Sequence, residues 1–108
     1  MAHYLLTASY TAGAWAAQIK NPQDRLEVVK PMFDAVGGSI ESAYMSFGEN
    51  DLVCIVQFPD NISAASIAMT LAAGGGVTNV KTTPLISIED GVEAIKKAGS
   101  LSYTPPGS

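Results

Sequence analysis

The stretch Tyr44-Met-Ser-Phe-Gly-Glu-Asn-Asp-Leu-Val-Cys-Ile-Val-Gln-Phe-Pro-Asp60 decides the fold. It reads as a strand end, a tight polar turn at Gly48-Glu-Asn-Asp51, and a second strand that stops at Pro59-Asp60. Residues 52–58 are almost continuously apolar, the pattern of a central strand covered on both faces. Two strands joined by so short a turn are antiparallel neighbours. This hairpin fixes the middle of the chain, and the other segments fall on either side of it.

Upstream, residues 39–46 complete the hairpin. Strict alternation puts Ile40, Ser42, Tyr44 and Ser46 on one side and Glu41, Ala43, Met45 and Phe47 on the other. Before them, Leu26, Val29, Phe33 and Val36 recur at helical spacing, and Gly37-Gly38 supplies a stop. Asn21-Pro22 reads as the start of that helix, and Pro31 predicts a kink or a loosened turn within it. Residues 11–20 read as a short helix or turn, and residues 3–10 as the first strand. In that strand His3, Leu5, Thr7 and Ser9 share one side; the more apolar Tyr4, Leu6, Ala8 and Tyr10 share the other and are expected under helices.

Downstream, Asp60 caps a helix rich in Ala, Ile and Leu, and Gly74-Gly-Gly76 ends it. The triple glycine follows a helix and carries no Lys, unlike a phosphate-cradling loop. Residues 77–88 supply a fourth strand, in which Pro84 predicts an edge position or a bulge. Ser87-Ile-Glu-Asp90 is a capping box that opens a short helix ended by Gly99. The expected class is α+β: a ferredoxin-like βαββαβ domain over residues 1–99, with a four-stranded antiparallel sheet, two helices on one face and a short C-terminal helix. Residues 100–108 read as a mobile Pro-rich tail.

Composition adds a partner. Apolar residues make up 47% of the 108 and charged residues only 15%, against about 25% charged in an average soluble domain. The uncovered sheet face would carry Leu5, Thr7, Tyr44, Val53 and Ile55, and a face so apolar is normally covered. Pairing with a second copy into a dimeric α+β barrel, or a larger homo-oligomer, is the expected cover. The net charge of −4 and six scattered basic residues argue against nucleic acid. No apolar run reaches the roughly 20 residues a membrane span needs. The opening Met-Ala-His-Tyr-Leu-Leu lacks a basic segment and a long apolar stretch, and a cytoplasmic location is expected.

Several pieces together resemble the GYD domain family, small bacterial proteins named for a Gly-Tyr-Asp signature at the central hairpin. They are Tyr10-Thr11 with Gly13, Lys20-Asn-Pro22 with Arg25, Gly37-Gly38 and Tyr44. They continue through Phe47-Gly-Glu-Asn-Asp-Leu-Val53, Phe58-Pro-Asp60 and Val80-Lys-Thr-Thr83. The resemblance implies the same ferredoxin-like fold and transfers no activity. Asn50 stands where the signature has Tyr; it suits a tight turn but supplies neither phenol nor aromatic face.

The candidate ligand-binding residues are His3, Tyr10, Tyr44 and Asp51. Tyr10 and Tyr44, with Trp15, suit the aromatic wall of a small-molecule cavity, and equally core or interface packing. Asp51 suits a general base in an apolar surround, or a turn carboxylate that accepts backbone N–H groups. His3 has no partner at metal-ligand spacing, and neither metal nor cofactor is expected. Arg25 and Lys81 suit an anionic substrate or surface ion pairs, and Cys54 reads as a buried hydrophobe. Three functions remain open: an oligomeric binder of a small apolar or aromatic molecule, a cofactor-independent monooxygenase or isomerase of the dimeric-barrel type, and a structural assembly protein.

Overall fold

The computed structural model describes residues 1–107. The elements are β1 (Ala2–Tyr10), α1 (Ala12–Lys20), α2 (Arg25–Ala35), β2 (Ser39–Met45), β3 (Leu52–Phe58), α3 (Asn61–Ala73), β4 (Val77–Leu85) and α4 (Ile88–Ala98). The four strands form one antiparallel sheet in the order β2-β3-β1-β4, the ferredoxin-like arrangement.

One sheet face is the core. Tyr4, Leu6 and Ala8 of β1 lie beside Cys54, Val56 and Phe58 of β3, and all six are buried. Phe33 of α2 stacks on Phe58 with ring centres 5.5 Å apart, and α3 adds Ala64 and Ile67. Burying such side chains stabilises the fold by roughly 1.5–3 kcal/mol each. α2 ends where Gly37, at φ +74°, reverses the chain. Gly38 then passes so close to Phe58 that an added Cβ would stand 2.7 Å from the ring. The opposite face carries Leu5, Thr7, Val53, Ile55 and Tyr44 in adjoining rows and has no helix over it, as the alternation predicted.

Two local details depart from the sequence expectations, in α2 and in β2. The second helix is capped by Asp24, whose Oδ1 accepts from the Leu26 N–H, rather than by Asn21; α2 then runs unbroken through Pro31. In β2 the register slips between Ile40 and Ser42, so Ile40 sits opposite Val56 and Ser42 opposite Ile55. The bulge moves Ile40 to the core side, where alternation had placed Glu41, and Glu41 reaches Gln57 and His3 instead. β4 is an edge strand, as Pro84 demanded, but its irregularity lies at Asn79, whose φ is +54°.

α4 stands apart from this body. Its cap is as expected, with Ser87 Oγ accepting from the Asp90 N–H, yet none of its residues is buried. The radius of gyration is 17.5 Å. A compact domain of this length would have about 13 Å. The chain is elongated, 59 Å on its long axis.

Candidate functional site

The end of β1, the β2–β3 hairpin and the first turn of α2 surround a pocket of about 220 Å³. Ala43 and Leu52, cross-strand neighbours of the core face, form its floor. Leu26 and Val29 of α2 and Leu71 of α3 form the opposite walls. The stripe that buries Phe33 thus continues one turn earlier as pocket lining. Ala43 on the floor offers too little volume to fill the gap.

Polar groups meet the pocket at one end. Tyr10 and Gln18 reach it from β1 and α1, and Gln23, Asp24 and Arg25 from the start of α2. The Arg25 guanidinium bonds only weakly to Gln23 Oε1, at 3.5 Å, and has no carboxylate within ion-pair distance among the described residues. Burial pushes the Tyr10 phenol above its ordinary pKa; Arg25 pulls the other way, and Cys54 and Asp51 add to the rise. Tyr10 therefore stays neutral at pH 7 and keeps an O–H to donate. Its ring meets Trp15 edge-on with centres 5.1 Å apart. The wall is fixed behind them: Thr11 N–H donates to the Gly76 carbonyl at 3.0 Å, and Thr11 Oγ1 accepts from the Ala14 N–H to cap α1.

Of the four candidate residues, the structure brings three to this end of the sheet. Tyr10 lines the pocket. Tyr44 touches it from edge strand β2, while its row lies on the open face beside Val53 and its side chain is 71% exposed. Asp51 is a turn carboxylate: Oδ2 accepts from the Tyr10 N–H at 2.9 Å, and its own N–H donates to the Ala8 carbonyl. It holds Tyr10 in place. His3 lies at the far end of β1, with Nε2 3.3 Å from Glu41 Oε2. Beside Asp51, the buried Oδ1 of Asn50 has no hydrogen-bond partner.

Leu26, Val29, Leu71 and Gln18 were not legible as site residues, because a stripe that lines a pocket has the same spacing as one that fills a core. No set of three His, Cys, Asp or Glu side chains arranged for a metal occurs among the described residues. Nor is any described helix long and apolar enough to cross a membrane.

The family model described as GYD domain matches residues 4–95, from β1 into α4. The chain belongs to the GYD domain family. The match assigns this GYD domain no reaction. Neither the curated proteins nor the solved structures yield a match to it.

Proposed function

We propose that this GYD domain is a homo-oligomeric binding protein for a small apolar or aromatic molecule, held in the pocket between the sheet and helices α1, α2 and α3. The observation that carries this reading is the pocket's make-up: aliphatic walls on several sides, with a neutral phenol, the Asp24 carboxylate that caps α2, and a guanidinium that has no acid within ion-pair distance among the described residues. Sites for drug-sized ligands run to roughly 300–1,000 Å³, whereas a cavity near 150 Å³ accepts benzene. A volume of about 220 Å³ suits a ligand of one ring or a short branched chain. Its polar substituent would meet Tyr10 and Arg25.

The enzyme reading draws less support. Of its acid–base candidates His3, Tyr44 and Asp51, His3 lies about six residues of β1, roughly 20 Å, from the row of Asp51 and serves no common proton transfer with it. Tyr44 shares the Asp51 end of the sheet but is largely exposed.

Trp15 provides the readout, because it touches Tyr10 at the pocket wall. Titration with single-ring probes such as benzoate and indole is expected to change its emission saturably, and Val29→Trp, which fills the pocket, is expected to block probe uptake as read by native mass spectrometry. Equal uptake by the filled variant and the natural chain would refute the pocket.

A further inference from the structure

α4 has the pattern of a buried helix and is not buried within its own chain. Ile88, Gly91, Val92 and Ile95 recur at the spacing of one helical face. Yet Ile88 is 87% exposed and Ile95 72%. Ile86 lies against the middle of this stripe, its Cδ1 4.0 Å from where a Gly91 Cβ would stand. Through Ile86 the stripe runs into Leu85, which pairs with His3 in the outermost row of the open sheet face. After the helix, Leu101 and Tyr103 are exposed as well. The family match extends to residue 95, so the stripe is part of the domain.

The charges around the stripe choose among possible covers. Glu89, Asp90 and Glu93 outnumber Lys96 and Lys97 on the polar side of α4, and the chain as a whole carries −4. Interfacial membrane helices instead line their polar face with Lys and Arg. The open sheet face carries one charge of each sign: Glu41 faces His3 Nε2 at 3.3 Å, while Lys81, in the row of Thr7 and Val53, has no acid within ion-pair distance among the described residues. The acids flanking the stripe can therefore meet Lys81 between copies.

Area agrees. Ile86, Ile88, Val92, Ile95, Leu101 and Tyr103 expose on the order of 100 Å² each, so two arms and the surfaces they cover exceed the ~1,200 Å² at the lower end of stable interfaces. A two-fold pair, each copy giving and receiving an arm, leaves no stripe uncovered.

We propose that α4 is an arm that clasps a second copy of the chain, its Ile88–Val92–Ile95 stripe and the open sheet face forming one continuous interface. This deepens the homo-oligomer reading and rests on it. The sheet faces supply the centre of the interface and the arms its ends. Clasping also accounts for a helix with a complete cap and no buried residue in its own chain.

The test is sedimentation equilibrium on the full chain, with hydrogen exchange on α4. The natural chain is expected to self-associate at micromolar concentration, with α4 amides more protected as concentration rises. The double variant Ile88→Asp with Ile95→Asp, at positions exposed in the single chain, is expected to keep its circular dichroism and to weaken association at least tenfold. If that variant associates as tightly as the natural chain while Leu5→Lys on the sheet face dissociates it, the arm is refuted and the oligomer stands. A natural chain that stays monomeric removes both, whether α4 is protected against its own body or taken up by phosphatidylcholine vesicles. The Trp15 titration is independent of either result.

Discussion

α3 and α4 each follow a strand, and they use apolar residues in opposite ways. α3 is apolar nearly all round, so its pattern barely marks an inner face; still, Ala64 and Ile67 are buried against the sheet. α4 separates apolar from charged residues cleanly and buries nothing. Small side chains let α3 settle close to β3 and β4 without a well-defined stripe, because packing there is limited by backbone approach. If α4 clasps a second copy as proposed, its stripe is the imprint of that surface, and amphipathic pattern reports on the assembly where burial in one chain reports on the subunit.

The sharpest way to break this comparison is to truncate one side chain from each region. Phe58→Ala removes a fully buried ring stacked on Phe33 and is expected to cost about 3–5 kcal/mol in urea unfolding, at any protein concentration. Ile95→Ala, read at concentrations low enough for the separated subunit, is expected to change stability by less than about 0.5 kcal/mol. A large loss from Ile95→Ala in the monomer would mean that α4 packs on its own body.

Cys54 sharpens the contrast from the buried side. Burial pushes its thiol up to about 11 from 9.0, so at pH 8 the reactive thiolate is about 100-fold scarcer than in the unfolded chain. Labelling with a disulfide reagent is expected to be slow in native protein and to accelerate through the urea transition. A cysteine placed at Ile95 is expected to label fast in the monomer and slowly in the oligomer. Rapid native labelling of Cys54 would show the helix-covered face to be open.

The smallest effect concerns the cap of α3. The Ser63 backbone and side chain hold the exposed Asp60 carboxyl below 3.8. A depressed carboxylate pKa contributes stability above the unfolded value, lost as pH falls through the folded one. Asp60→Asn keeps a capping oxygen and is expected to flatten the acid limb of stability below about pH 4. An unchanged limb would assign acid sensitivity to other carboxylates.

The sequence carried the sheet well and the site poorly, for identifiable reasons. The run from Leu52 to Phe58 could only be a central strand, and Pro84 could only lie at an edge, because each follows from which backbone and side-chain groups water can reach. The β2 bulge at Glu41 leaves no such mark: one extra residue flips Ile40 and Glu41, and alternation read straight through it. Asn21 and Asp24 are both good caps, and the choice between them depends on where α1 ends. Tyr10 was legible as a candidate since an aromatic at a strand end must be accommodated somewhere. The void beside it is a shortage of volume shared among α1, α2, α3 and the sheet, a property of the assembled parts that no single segment displays.

The two outer strands carry a further consequence. β2 is bulged at Glu41; β4 is bent at Asn79 and lacks a donor at Pro84. Regular strand addition at either margin would meet a broken ladder, which hinders growth of the sheet by one chain after another. A protein this poor in charge can therefore keep an apolar sheet face and an apolar helix without inviting fibrils. Association through the faces, as proposed, would close on itself by two-fold contact, whereas association at the edges would have no end.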